Sequence, residues 1–522
     1  MITYKYNRNL RLLPVFITIV FLTFSCDGLL DEQPISEISA AGFWQNNADA
    51  ALGVAAIYDA LQPTYRTKHY LWGEFRADNF SRGSESASAN NLELIFNDVN
   101  TGNGAALDWS DFYIAVNRVN LAIKYIPQIN SFDQNLLAEA YAIRAYLYFD
   151  AVRVWGAVPL FTEPVESSTQ ELARPKTDGN TIMNDVVIPD MLEAGKLMTL
   201  VADKYRFTQT TIWALQADVY MWLQDYASAK EALDKIVASG EYSLVTSPEA
   251  WQDLFINDIQ DGGPGKVMTG PELMMSIRYD INEPRDNPGQ TRANRSGIFS
   301  LFFAGLPSFY LSPALENKWI EKFPIDSMEW ADKYPDTPPI LTKDDDGDGV
   351  LETVYGDWRY YFCREDGIGG IGSRLIGEAR LAKYSKSNYN QDLDDSDIVL
   401  YRYAGILLLL AEAENQLGNT ERAFELVNEI RAARQLPLVT MEEFGATTDE
   451  RENYILDERQ LELLGEAQRW WDLRRTNKAM AVLNPILDTI PGGVQITEER
   501  LLFPIFDEHL IENPQLDQNS GY

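Results

Sequence analysis

The sequence predicts a mainly α-helical protein, built from tetratricopeptide-like helical hairpins and interrupted by a loop-rich irregular insert. Three observations carry this. Long stretches show apolar residues at helical spacing. Two such stretches superimpose at a constant offset of 194 residues. Between them, from about Val245 to Val399, the periodicity fades among prolines and glycines.

The N-terminus reads as a targeting segment. Lys5, Arg8 and Arg11 precede an apolar run from Leu12 to Phe24, too short to span a bilayer comfortably. Leu22-Thr23-Phe24-Ser25-Cys26 resembles a bacterial lipobox, although Phe24 is bulky where small residues are usual. Residues 1–25 are thus expected to be a lipoprotein signal peptide, with Cys26 as the lipidated residue. Ordinary cleavage nearby, leaving Cys26 a bystander, is the alternative. With Cys26 lipidated, Cys363 is the sole thiol and no internal disulfide forms.

Asn135 to Val154 reads as a long amphipathic helix that stops at Trp155-Gly156, with Pro159 beyond. Further along, Ala217, Leu223, Ala229, Leu233 and Ile236 match Ala411, Leu417, Ala423, Val427 and Ile430. Each set describes a helix, a short turn and a second helix, with small alanines where the two cross. Two copies support hairpins more firmly than a repeat array. The remaining segment is a single domain's insert, about residues 245–397, set into a scaffold of about 36–244 and 398–522. Fourteen aromatic residues lie between 299 and 362. Aromatics on loops suit a binding surface, and a loop-rich insert equally needs them for a core of its own.

Composition excludes several functions. The formal charge of −34 repels phosphate backbones, so no nucleic-acid partner is expected. Only two histidines occur, His69 and His509, in no metal-ligand spacing, and no G-x-S-x-G elbow is present. One metal candidate stands out. Asp344, Asp346 and Asp348, followed by Gly349, reproduce the first half of a calcium loop. Val350 would give a backbone carbonyl and Glu352 a ninth-position ligand. Tyr355 replaces the usual bidentate glutamate, so calcium and a plain solvated turn both fit.

Five segments resemble one family. Asp27-Gly28-Leu29-Leu30-Asp31-Glu32-Gln33-Pro34 is similar to its opening, and Trp109 to Asn120 to its W-x-x-x-Y…N helix. Arg144 to Phe149 and Trp155 to Leu160 match R-A-x-x-Y-F…G-x-V-P-L. Glu458-Arg459, Glu462, Gly465-Glu466 and Arg469 to Arg475 follow E-R…E…R-W-x-D-L-R-R. The end, Phe503-Pro504-Ile505 and Asn513 to Tyr522, resembles P-I-P…N-P-x-L-x-Q-N-P-G-Y, with Phe506 and Ser520 in place of two prolines. Together these resemble the SusD/RagB family of surface glycan-binding lipoproteins from the Bacteroidetes.

The resemblance implies tetratricopeptide-like hairpins and a variable region that sets ligand specificity. It also implies lipid anchoring on the outer membrane and a lid role over a SusC-like TonB-dependent transporter. Arg459, Glu462, Arg469 and Asp472 are expected to form a buried ion network. The expected activity is non-catalytic capture of an oligo- or polysaccharide by ring stacking and hydrogen bonding. Candidate contacts are Trp319, Trp330, Tyr334, Trp358 and Tyr360 of the insert, with Trp72, Asp78 and Arg82 around the loop near 77–103. Arg285, Arg292 and Arg295 would make a local basic patch for an anionic glycan. A peptide receptor on the same fold and a surface glycoside hydrolase are the alternatives.

Overall fold

The computed structural model describes residues 40–83, 88–167, 169–257, 268–280, 296–303, 307–343, 349–365, 375–384 and 396–522. Cys26, Asp344, Asp346, Asp348, Arg285, Arg292 and Arg295 lie outside these residues.

Ten helices make the scaffold discussed below. They are α1 (Asn47–Tyr65), α2 (Ser110–Tyr125), α3 (Gln134–Trp155), α4 (Ile188–Leu197), α5 (Gln209–Trp222), α6 (Tyr226–Ser239), α7 (Tyr403–Gln416), α8 (Thr420–Ala433), α9 (Thr448–Glu462) and α10 (Arg469–Arg475). From α1 to α8 each packs on the next, so the array continues from α6 to α7 across the whole insert. Side-chain capping fixes where α1 and α3 start. Asn46 accepts from the amides of Ala48 and Asp49 (2.9 and 3.2 Å) at α1, and Asp133 accepts from Asn135 (2.9 Å) at α3. Helix α3 is buried on every side, through Ala138, Ala142, Leu147, Phe149 and Trp155, and forms the middle of the larger core. Arg144 on α3 is clamped bidentately to Asp190 of α4 (2.6 and 3.0 Å).

The offset of 194 residues holds at every boundary of the two hairpins. Adding it to α5 and α6 gives the first and last residues of α7 and α8. Their turns close with the same backbone hydrogen bonds. Asp225 and Asn419 return their amides to the carbonyls of Tyr220 and Glu414 (2.9 and 2.8 Å), closing Schellman turns around Gln224 and Gly418, both at positive φ. Ala217, Ala229, Leu233 and Ile236 share one core with Ala411, Ala423, Val427 and Ile430.

The described part of the insert consists of loops, short helices and strands that take part in three two-stranded antiparallel ribbons, two of them shared with the scaffold. These ribbons are β1 (Phe80–Arg82) with β3 (Phe309–Leu311), β2 (Leu273–Ile277) with β6 (Ile398–Arg402), and β4 (Leu341–Lys343) with β5 (Glu352–Val354). The β2–β6 ribbon ties the two ends of the insert together immediately before α7.

A buried ion network then fastens it to the scaffold. Glu462 of α9 accepts from Arg359 (2.7 Å), Arg402 (2.7 Å) and Arg434 (2.8 and 3.1 Å). Glu272 joins Arg402 and Arg434, and Glu466 joins Arg402 and Lys383. Burial alone would raise the Glu462 carboxyl, yet three guanidinium groups hold it well below the usual range. The expected network is buried and ionic but partitions differently. Arg459 pairs with Asp472 (2.8 Å), and Arg469 pairs with Asp78 (2.7 Å).

Candidate functional site

Ribbon β1–β3 joins the two segments that the sequence nominated separately. Phe80 opposes Leu311, Ser81 opposes Tyr310 and Arg82 opposes Phe309. The inner side is an aromatic stack, with Phe75 parallel to Phe309 at 3.6 Å and Phe80 edge-on to Phe75 at 5.1 Å. Strand alternation therefore turns Ser81 and Tyr310 outward, where both are half-exposed. Arg82 at the ribbon's end is exposed. Neither its guanidinium nor the Tyr310 hydroxyl bonds another described residue, so both are available.

Neighbouring groups are held in place around them. Asn91 donates to Ser308 Oγ (3.1 Å), and the Gly83 amide donates to the Ser308 carbonyl (3.0 Å). A Cβ at Gly83 would lie 2.2 Å from the Pro307 carbonyl, so only glycine permits this approach. The result is a fixed rim carrying a planar cation, a phenol and amide and hydroxyl groups. That set can stack on a sugar face and hydrogen-bond its hydroxyls.

Most of the predicted contacts are not on this rim. Trp72, Trp319, Trp330, Trp358 and Tyr360 are core residues, each at most 3% exposed. Their polar atoms are spent internally. Trp72 donates to the Ala106 carbonyl (2.7 Å), Trp319 to Asp357 (2.9 Å), Trp330 to the Thr337 carbonyl (2.8 Å), Trp358 to the Arg434 carbonyl (2.7 Å) and Tyr360 to Glu316 (2.8 Å). Asp78 is buried beneath Arg469, which outweighs the effect of burial and lowers its pKa. Tyr334 is half-buried, its ring 5.0 Å from Trp330 and its hydroxyl on the Lys322 carbonyl (2.7 Å). Of the eight, Arg82 alone reaches solvent freely.

The spacing held a warning. Trp330 and Tyr334, like Trp358 and Phe362, stand four apart and share one face, which is the pattern of packing. Tyr310 alternates with the buried Phe309 and Leu311, the mark of an outward strand position.

Of the calcium loop, Val350 is exposed and Glu352 begins β5, opposite Lys343. Among the described residues, no three His, Cys, Asp or Glu side chains are placed to hold a metal. His509 stacks on Trp109 at 4.8 Å and accepts its amide (3.1 Å). His69 is buried, which pushes its imidazole down to about 4. Burial pushes the Cys363 thiol up to about 12, leaving it inert at neutral pH.

A cavity of about 600 Å³ opens beside α2, lined by Trp109, Tyr113, Asn117, Phe161, Leu172 and Asn513 among others. Its amides are already engaged: Asn117 pairs with the Val165 backbone, and Asn513 donates to the Arg174 carbonyl (2.8 Å).

Comparison with known proteins agrees with this architecture. A family model described as SusD family matches residues 346–522, and one described as starch-binding associating with outer membrane matches residues 29–221. SusD-like protein P38 of Formosa agariphila is 43% identical over 99% of this chain and 100% of its own length. SusD-like protein P25 of the same organism is 23% identical over 97% of this chain and 98% of its own. Among solved structures, a SusD-like protein of Bacteroides fragilis covers 94% of this chain and 100% of its own (19% identity, TM-score 0.68). A laminarin-binding SusD-like protein covers 92% and 100% (21% identity, TM-score 0.65). These two structures share the fold. Spanning the full length of a 43% identical relative, the chain belongs to the SusD family.

Proposed function

We propose that this chain is a non-catalytic, cell-surface glycan-binding lipoprotein. It captures an oligo- or polysaccharide at the β1–β3 rim and passes it to a SusC-like TonB-dependent transporter in the outer membrane. The observation that carries the site is that Arg82 and Tyr310, two unengaged groups suited to a sugar, stand on the two strands of one ribbon. Family membership and the description of the second family model support the ligand class and the membrane. Among the described residues, no helix is long and apolar enough to cross a membrane, in keeping with anchoring by lipid at Cys26.

Capture needs no bond-making. The Tyr310 ring offers an apolar face, and Arg82 donates to hydroxyls at the ribbon's end. In affinity electrophoresis with a polysaccharide panel, Arg82→Ala and Tyr310→Ala should each weaken retention at least tenfold, about 1.4 kcal/mol. Unchanged retention removes the site. Retention of peptides and of no glycan replaces the ligand class, and release of reducing ends replaces capture with hydrolysis. The acidic loop from Asp344 to Glu352 is proposed as a calcium site. Calcium at a hundred times its dissociation constant should stabilise the chain by about 2.7 kcal/mol, and a melting temperature indifferent to chelator excludes it.

A further inference from the structure

A second cavity, of about 490 Å³, lies between α1 and β2 and shares no residue with the β1–β3 rim. Its size falls within the roughly 300–1,000 Å³ typical of small-molecule sites. Helix α1 supplies one wall from two rows at helical spacing, Ala51-Ala55-Asp59 and Val54-Tyr58-Gln62. The two alanines leave room that longer side chains would fill.

The opposite wall is shaped by an irregularity. Strand β2 shifts register against β6 between Leu273 and Met275 and again between Met275 and Ser276. Such bulges re-aim side chains. The Ser276 amide leaves the ladder to donate to the Lys204 carbonyl (2.7 Å). Ser276 lines the cavity, and its hydroxyl is buried with no hydrogen-bond partner. A buried hydroxyl without a partner is costly, which marks it as awaiting one.

Further walls are rigid before any ligand arrives. The Tyr58 hydroxyl accepts the Phe207 amide (2.8 Å) and donates to Glu139 (2.7 Å). Arg206 places Nε (2.9 Å) and Nη2 on Glu139, leaving Nη1 without a partner. Tyr205 is held by Asp397 through its hydroxyl (2.9 Å). Asp59 uses Oδ2 on Arg118 (2.7 Å) and keeps Oδ1 unengaged.

Each charged lining residue therefore brings its own counter-ion: Asp59 with Arg118, Arg206 with Glu139, and Arg278 with Asp280. No charge is left over for an ionic ligand. What remains is a hydroxyl, one guanidinium nitrogen and one carboxylate oxygen around apolar and phenolic walls. That combination of donors and acceptors beside C–H-accepting surfaces matches a polyhydroxylated molecule.

We propose that this cavity is a second ligand site, which takes a neutral sugar unit of one or two residues with Ser276 as a direct contact. It stands independently of the rim. The test is titration calorimetry of the full chain with glucose, galactose, maltose and lactose. At least one should bind the wild-type protein. Ala55→Trp, at an exposed helix position that overhangs the cavity, should weaken that binding more than tenfold. Ser276→Ala should weaken it severalfold without lowering the melting temperature, and Arg82→Ala should leave it unchanged. Failure of all four sugars to bind overturns the proposal, as does full binding by both cavity variants. Loss in Arg82→Ala alone assigns the sugar to the rim and also overturns it.

Discussion

In the hairpins α5–α6 and α7–α8, Ala217, Leu233 and Ile236 are buried with Ala411, Val427 and Ile430 in one aliphatic core. Where the insert meets α9, the buried groups are instead Arg359, Arg402, Arg434, Glu272, Glu462 and Glu466. The first contact follows from helical periodicity and tolerates loss of a methyl group in proportion to its size. The second is made by charges 28 to 162 residues apart in sequence, and each depends on the others being present. Removing one side chain therefore has different consequences in the two regions.

Glu462→Ala is the most damaging single change at the charged seam. It leaves three guanidinium groups buried around an empty position, at a cost of about 3–5 kcal/mol. Urea denaturation followed by circular dichroism measures this. A loss under 1 kcal/mol breaks the comparison, because the network would then be dispensable.

Two carboxyls near the β2–β6 ribbon sharpen it further. Glu462 faces arginines and is held well below the usual range. Asp397 accepts from the neutral Tyr205 hydroxyl and the Tyr279 amide (2.9 and 3.0 Å), and burial pushes it up to about 7. Between about pH 4 and 7 the folded Asp397 keeps a proton that the unfolded chain has released. Its contribution to stability is full below pH 4, falls as pH rises and is gone above 7. Asp397→Asn has no such proton. Relative to the wild type it should gain about 1.4 kcal/mol per pH unit across that window, then stay level. A difference independent of pH refutes the assignment.

Legibility in the sequence divides along the same line. The long helix was readable from Asn135 to Val154 and runs from Gln134 to Trp155, because its apolar spacing and its stop at Gly156 are local signals. Both hairpins were readable for the same reason. Burial of Arg459, Glu462, Arg469 and Asp472 was foreseen, but Glu462's partners were not, since nothing local marks a pairing with Arg359 or Arg402. For the candidate site, aromatic density pointed to a segment that contains Tyr310, but to rings that are buried. Trp319 and Trp358 are in that segment because short loops without aliphatic helices build their core from large rings. The sequence puts Arg82 around a loop, and both its position at a strand end and the outward place of Tyr310 become visible only in the pairing of β1 with β3.

The smallest effect concerns the two matched turns. Gln224 and Gly418 occupy equivalent positions, 194 residues apart, at φ of 59° and 82°. Both close the same pair of backbone hydrogen bonds, so the residue at positive φ can be compared between them. A left-handed conformation costs a non-glycine residue about 1–2 kcal/mol, partly offset by the greater freedom glycine has when unfolded. Gln224→Gly should then stabilise the chain by about 0.5–1 kcal/mol. Nothing lies within 4 Å of a Cβ built at Gly418, so Gly418→Ala meets no clash and loses about 1 kcal/mol through conformation alone. Opposite signs at equivalent positions are the expected result by differential scanning calorimetry. Equal signs would mean that the turns, despite their matched hydrogen bonds, are set by their surroundings and not by the repeat.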